Sequence, residues 1–483
     1  MQRFNQAEPL LCTLSLKPFQ VARSMTQQAS PQLLGTEKIS TLLLRYAIPA
    51  IIAMTASSLY NLVDSIFIGR GVGALALSGL SITMPLMNLG AAFGSLVGIG
   101  ASTQLAIKLG QNDQKSAQLI LGNVIILNIL IGLAYTAICL PLLDPILYFF
   151  GASENTIGYA RSYMWIILAG NVVTHVYLGL NDMLRASGYP GRAMGIMLTA
   201  VILNCILNGI FIFGFGWGIA GAAWATIVAQ VVAMSLELNH FLNPKHFIHF
   251  KRNAIRLKGS IVRAILSIGM APFLMYVCSS VIVILINKSL MQHGGDLYIG
   301  AYGVVNRIVM LFVMVVMGLN QGMQPIVGYN FGARKFDRVN KTLKYVIFCA
   351  VSVTTTGFIV CELFPQYITM LFTDDAELID ISSHGLRIVL AMFPFVGFQM
   401  VTSNFFQSIG MAPKAIFLSL TRQLIFLVPF LLILPEFFGA NGVWMSMPLA
   451  DTAATTLAAI LLWRQFRKFH QLHLQDQALK QAQ

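Results

Sequence analysis

Charge is what this sequence has least of. Only 10% of its 483 residues are Asp, Glu, Lys or Arg, and 57% are hydrophobic, with a mean hydropathy of +0.73. A soluble globular domain carries about 25% charged residues, so a globule of this size would lack the polar surface that water requires. The expected solvent is lipid. Other absences narrow the chemistry. No GxxxxGK[ST] loop is present to cradle a nucleotide phosphate, and no GxSxG or HExxH motif offers a hydrolytic centre. The six cysteines are scattered, without a CxxC pair or metal-ligand spacing, and read as small packing residues. Residues 1–35 contain no sustained apolar run of the signal-peptide kind and read as a flexible polar tail.

What is present is long apolar runs. Crossing ~30 Å of hydrocarbon takes about 20 helical residues. Twelve segments meet that length, near 42–68, 76–107, 117–141, 160–182, 193–214, 217–241, 262–290, 298–327, 343–363, 382–409, 414–434 and 440–463. The net charge of +13 would suggest nucleic acid in a soluble protein, but its distribution points elsewhere. Assigning alternate loops to alternate sides puts most of the 31 basic residues on one side, including Lys108, Lys115, Arg185, Arg192, Arg334, Lys335, Lys414, Arg422 and Arg464. The other side is acidic, with Asp144, Glu154, Asp374, Asp375 and Glu377. By the positive-inside rule both termini are expected in the cytoplasm.

The chain also repeats itself. Gly100 falls on Gly322 and Gly110 on Gly332, Gly188 on Gly410 and Arg192 on Lys414, all at an offset of 222. The segment 218–230 matches 439–451 and Pro49 falls on Pro272, at offsets of 221 and 223. Such an offset spans six helices, so the halves share one orientation, related by an axis along the membrane normal. The expected fold is therefore all-α and integral to the membrane: twelve transmembrane helices in two pseudo-symmetric six-helix bundles. The expected units are a flexible cytoplasmic tail (1–35), an N-terminal bundle (36–242), a basic cytoplasmic linker (243–260), a C-terminal bundle (261–468) and a cytoplasmic tail (469–483). Two such bundles enclose a midplane cleft, and rocking one against the other gives alternating access.

Polar groups inside the spans are the candidate site, because a charge at bilayer depth costs about 2.5–3.5 kcal/mol on insertion scales. Asp64 is the clearest, in SSLYNLVDSIFIG, with Tyr60 and Asn61 on the same helical face. Asn204 and Asn208 stand one turn apart in the fifth span, and Asn181 and Thr226 add oxygens from the fourth and sixth. Together Asp64, Asn204, Asn208 and Thr226 form an oxygen-rich set suited to Na⁺ or to a proton, set against the plainer reading of interhelical hydrogen bonding. The second half differs: the place equivalent to Asp64 is Asn287. Its polar residues are Arg307, Gln399, Asn404, Gln407 and Asp451; Arg307 and Asp451 read as an interhelical ion pair, with Asp451 a secondary acidic candidate. Tyr60, Met197, Gln399 and Arg307 are the candidate cleft residues, and His175 reads as a satisfied core histidine.

The segments IPAIIAMTASSLYNLVDSIFIG, RASGYPGRA, LNCILNGIFIFG, GIAGAAWAT, GAYGVVNRI and GLNQGMQPIVGYNFGAR resemble the multidrug and toxic compound extrusion (MATE) family, within it the DinF-like branch and its MepA-type members. The resemblance covers about residues 36–468. It implies two bundles forming a V and the export of organic, often cationic compounds against H⁺ or Na⁺, from the bacterial inner membrane. It implies no cofactor, no nucleic acid, and a monomer that meets lipid and small drug-like molecules. It gives Asp64 the coupling role, with Tyr60, Asn181, Asn204 and Thr226 beside it. Asn208 departs from the branch, which often has aspartate there; the lost charge favours H⁺ over Na⁺. A lipid-linked saccharide flippase of the same superfamily is the alternative, and an intramembrane enzyme the alternative of another class.

Overall fold

The computed structural model describes residues 31–481. Ten helices in it are long and apolar enough to cross a membrane, and two bent pairs bring the spans to twelve. They are α1 (Ile39–Gly71), α2 (Ala74–Gly110), α3 (Gln114–Cys139), α4 (Ile157–Ala169 and Asn171–Ala186, bent by 55°), α5 (Pro190–Gly214) and α6 (Gly218–Leu242). The second half repeats the series with α7 (Gly259–Gly294), α8 (Asp296–Gly332), α9 (Phe336–Leu363), α10 (Ala376–Leu390 and Phe393–Ser408, bent by 53°), α11 (Ala412–Phe438) and α12 (Ala440–Gln481). A short helix precedes each bent span, Leu143–Phe149 before α4 and Pro365–Met370 before α10. No strand occurs among the described residues.

Local chemistry sets the ends. Asp113 caps α3 by accepting from Ser116 N at 3.1 Å, and Asp375 caps α10 by accepting from Glu377 N and Leu378 N at 3.0 and 3.1 Å. Pro190 opens α5, where its missing N–H costs nothing. The tail expected over 1–35 lies outside the described residues up to 30. Its last five residues, Pro31–Gly35, form a 3₁₀ turn in which Leu34 is buried and its carbonyl accepts from Asn330 Nδ2 at 2.9 Å. The C-terminal segment after 468 continues α12 as helix.

One apolar core crosses both bundles at their linker-side ends, joining Leu105 and Ile120 to Ile265, Met323 and Leu343. Farther away the core divides. Ile68, Leu80, Leu147 and Ala222 pack within the first bundle, and Ile286, Val305, Leu386 and Trp444 within the second. The bundles thus meet at one end and keep separate cores at the other, which is the V.

The repeated glycines mark where they meet. A Cβ on Gly100 (α2) would overlap the Ile265 carbonyl oxygen on α7. Its repeat partner Gly322 (α8) faces the Ala47 backbone on α1, 2.6 Å from such a Cβ. Gly110 would overlap the Tyr329 carbonyl and Gly332 the Ile107 carbonyl. Apolar surface gains nothing by leaving lipid tails for other apolar surface, so helices in a membrane associate through close backbone approach, and small residues permit it. Polar contacts reinforce the seam: Gln324 Nε2 on α8 donates to Ser102 Oγ at 3.0 Å and Thr103 Oγ1 at 2.6 Å on α2.

Candidate functional site

Three helices of the first bundle converge on Asp64. Helix α1 supplies Tyr60 and Asp64 one turn apart, α5 supplies Asn204 and Asn208 one turn apart, and α6 supplies Thr226. Asn208 Nδ2 donates to Asp64 Oδ1 at 2.8 Å and to Asn204 Oδ1 at 2.9 Å. Asn204 Nδ2 donates to Thr226 Oγ1 at 3.2 Å and Tyr60 OH at 3.4 Å. Tyr60 and Thr226 hydroxyls are 2.8 Å apart, and Thr226 Oγ1 also donates to Ala222 O at 3.1 Å. Asp64 is 5% exposed and Asn208 0%. Directly after Asn208 the helix widens into a π-helical turn, Gly209–Gly214. Such bulges release the regular backbone ladder and recur at functional sites.

The donor set decides what this cluster holds well. Amide N–H groups point at Asp64 and at Asn204 Oδ1, and Asn208 Oδ1 is buried without a donor. An arrangement that aims one amide N–H at a lone carboxylate is suited to a charge that comes and goes, whereas a hard cation needs oxygens converging on one point. Among the described residues no group of three His, Cys, Asp or Glu is placed to hold a metal ion.

The other candidates separate from this cluster. Asn181 forms no hydrogen bond with it; its Nδ2 donates to Glu237 Oε1 at 2.8 Å and Ala193 O at 3.1 Å. Glu237, fully enclosed, was not foreseen from the sequence, where it stands alone near the end of an apolar run. Met197 is half-buried on α5 and Gln399 buried on α10. His175 is a core histidine, with Nε2 3.1 Å from Gly90 O.

The expected Arg307–Asp451 pair is corrected. Arg307 lies exposed on α8. Asp451 on α12 pairs instead with Arg422, whose Nε donates to Oδ1 at 2.6 Å. Arg422, assigned above to a cytoplasmic loop, sits in a π-helical turn inside α11, Thr421–Leu427. The neighbouring Gln423 Nε2 donates to Ser279 Oγ on α7 at 3.0 Å. This second centre lies on α7, α11 and α12, the repeat counterparts of α1, α5 and α6. The first centre holds a carboxylate among amides; the second holds a carboxylate with its own cation.

Arg185 is also corrected from loop to helix. Near the end of α4 it bonds Asp182 one turn earlier and Gln321 on α8, a polar bridge between the bundles.

Comparison with known proteins agrees with this architecture. The MatE family model matches residues 49–210 and 269–433, one segment in each half. The chain belongs to the MATE family. Multidrug export protein MepA of Staphylococcus haemolyticus (strain JCSC1435) is 26% identical over 421 residues, covering 87% of this chain and 92% of MepA. The solved MATE multidrug transporter DinF-BH, in a ligand complex, is 35% identical, with a TM-score of 0.83 over 91% of this chain and 98% of its own. An outward-facing MATE transporter of the MOP superfamily is 25% identical, with a TM-score of 0.85 over 92% of this chain and 99% of its own. The solved relatives named here are membrane transporters.

Proposed function

We propose that this MATE protein exports organic, mostly cationic amphipathic compounds from the bacterial cytoplasm in exchange for protons, with Asp64 carrying the proton. The observation that carries the reading is the hydrogen bond from Asn208 Nδ2 to a buried carboxylate that pairs with no Lys, Arg or His among the described residues. The names of the relatives support export of several drugs.

The cycle follows from hydrogen-bond accounting. Charged Asp64 is acceptor-only and is served by the Asn208 amide. A proton on Asp64 adds an O–H donor beside the remaining carbonyl acceptor, and the Asn208 N–H cannot accept from it. The buried Asn208 Oδ1 is then the available acceptor. Turning the amide to present it withdraws the N–H from Asn204 Oδ1 and loosens the contact between α1 and α5. Neutral Asp64 also stops attracting a cationic substrate, which departs as the proton arrives. The seam closed at the basic, linker-side ends corresponds, by the positive-inside rule, to a state open to the outside, with both termini in the cytoplasm. The protein acts as a monomer, and Na⁺ is not the driving ion.

Export of a fluorescent organic cation from an efflux-deficient host tests this. A protonophore is expected to collapse export and removal of Na⁺ to leave it intact. Asp64→Asn is expected to lower export at least about tenfold at equal expression, the effect of ~1.4 kcal/mol of lost coupling. Export that needs Na⁺ and survives the protonophore overturns the proton reading; full export by Asp64→Asn removes Asp64 from the mechanism.

A further inference from the structure

The linker between the bundles is fixed in place, yet it shows an unusual face. Asn123 on α3 is fully buried, donates Nδ2 to Arg256 O at 3.0 Å and accepts from Lys258 N at 3.0 Å. Gly122 lets the linker backbone in, since a Cβ there would overlap the Ala254 carbonyl. Gln114 Nε2 holds Phe247 O at 3.2 Å. Along this pinned strip Ile255 is 53% exposed and Leu257 48%, alternating with the exposed Arg256 and Lys258. A strip in water would not hold two large aliphatic side chains outward. Alternating aliphatic and basic residues match the boundary between acyl chains and anionic headgroups.

The strip leads directly into a groove. Gly259, Val262, Arg263, Leu266 and Met270 line one face of α7, and Ile416 on α11 forms the opposite wall of an open cavity of about 500 Å³. The lining is mostly apolar: Ser267 adds one hydroxyl partway along, and near the linker-side end Arg263 is exposed and has no hydrogen-bonding or acidic partner among the described residues. Arg263 stands about one turn inside α7, at headgroup depth for a helix that begins at Gly259.

We propose that this groove binds one anionic phospholipid of the inner leaflet, its phosphate on Arg263 beside Arg256 and Lys258, and one acyl chain along Val262, Leu266, Met270 and Ile416. The charge fits, because this side of the protein is basic and the groove contributes no acid. The shape fits, because the apolar lining runs along the helix for about three turns from its start, as an acyl chain runs from its headgroup. The site has a consequence for transport that does not depend on the exported compound. Arg256 is anchored to the first bundle through Asn123, and Arg263 belongs to the second. A phosphate held by both favours one bundle arrangement, since a ligand shifts an equilibrium by its differential affinity for the two states.

Native mass spectrometry of the purified full chain tests the site, with phosphatidylglycerol and phosphatidylcholine of matched acyl chains added at equal concentration. One phosphatidylglycerol is expected to be retained in preference. Arg263→Gln is expected to lower that preference about fivefold, as for the loss of ~1 kcal/mol per basic residue near an anionic surface. Arg263→Lys is expected to keep most of it. Arg464→Gln, an exposed cation of the same side outside the groove, is expected to change it less than about twofold. Equal retention of both lipids overturns the proposal. Equal loss in Arg263→Gln and Arg464→Gln also overturns it, by reducing the effect to general surface charge.

Discussion

Asn208 donates to Asp64 at 2.8 Å while its own carbonyl oxygen lies buried with no donor. The amide therefore serves a charged carboxylate and keeps an acceptor in reserve. Replacing it with a second carboxylate removes the donor and doubles the negative charge. Asn208→Asp is expected to bring Na⁺ dependence to transport, because two carboxylates and Asn204 Oδ1 then form an oxygen set for a hard cation. Export measured without Na⁺ and at about 0.1 M Na⁺, with K⁺ keeping the ionic strength and so the screening constant, checks it. Unchanged indifference to Na⁺ would count against the reading of the cluster.

The ion pair of the second bundle gives a sharper energetic test. Arg422 and Asp451 are 2.6 Å apart, with side chains 35% and 9% exposed. Asp451→Asn leaves a guanidinium without its counter-charge inside the span. It is expected to destabilise the second bundle by about 2 kcal/mol, below the ~3–5 kcal/mol of a fully buried pair because Arg422 is partly exposed. The double change Arg422→Gln with Asp451→Asn is expected to restore more than half of that loss. Melting in detergent micelles reads both, and equal loss in single and double variants would deny the coupling.

The glycine seam predicts a transport defect without a folding defect. Gly100→Val places a branched side chain against the Ile265 carbonyl and prevents close approach of α2 and α7. Each bundle keeps its far-end core. Export is expected to fall by at least about tenfold with expression retained, and full export at equal expression would deny the seam its role in transport. Gly303→Val on α8, which meets nothing within 4 Å, serves as the control.

One loop carboxylate sets a pH dependence of stability. The hydrogen bond from Ser116, aided by Lys108 at 3.5 Å, holds Asp113 below the usual aspartate range. A depressed pKa means that its contribution is complete above the unfolded-state value of about 3.9 and fades as pH falls through the folded-state value. Asp113→Ala is expected to cost about 1 kcal/mol at pH 7, as for an N-cap, and to cost progressively less as pH falls below about 3.9. A melting difference that persists undiminished at low pH would contradict this.

Much of the architecture was legible because its causes are local or periodic. The apolar runs gave the spans, and the offset of 222 gave the repeat. Gly100, Gly110, Gly322 and Gly332, noticed only as matching letters, turn out to be the contact between bundles. Asp64, Asn204, Asn208, Thr226 and Tyr60 were recoverable because helical spacing puts each pair on one face. What escaped depended on relations between helices. No spacing tells that Asp451 meets Arg422 rather than Arg307, or that Asn181 faces Glu237. Arg185 and Arg422 were misplaced for other reasons. Hydropathy ends a span where charge begins, so the fourth span stopped at 182 while α4 runs to Ala186; Arg422 lay within the expected span 414–434, and only its charge put it with the loops.

The place of the seam along the helices sets the mechanical gain of the machine. Helix α2 runs from Ala74 to Gly110 and meets the other bundle from Gly110 as far as Phe93, whose ring lies 5.0 Å from that of Phe273. At 1.5 Å per residue its free arm beyond that contact is about 29 Å. A tilt of about 10° about the seam therefore carries the far tip roughly 5 Å, by that same helix rise. A small rotation where the bundles touch is geared up into the opening of a passage, and the shortest residues in the chain carry the pivot.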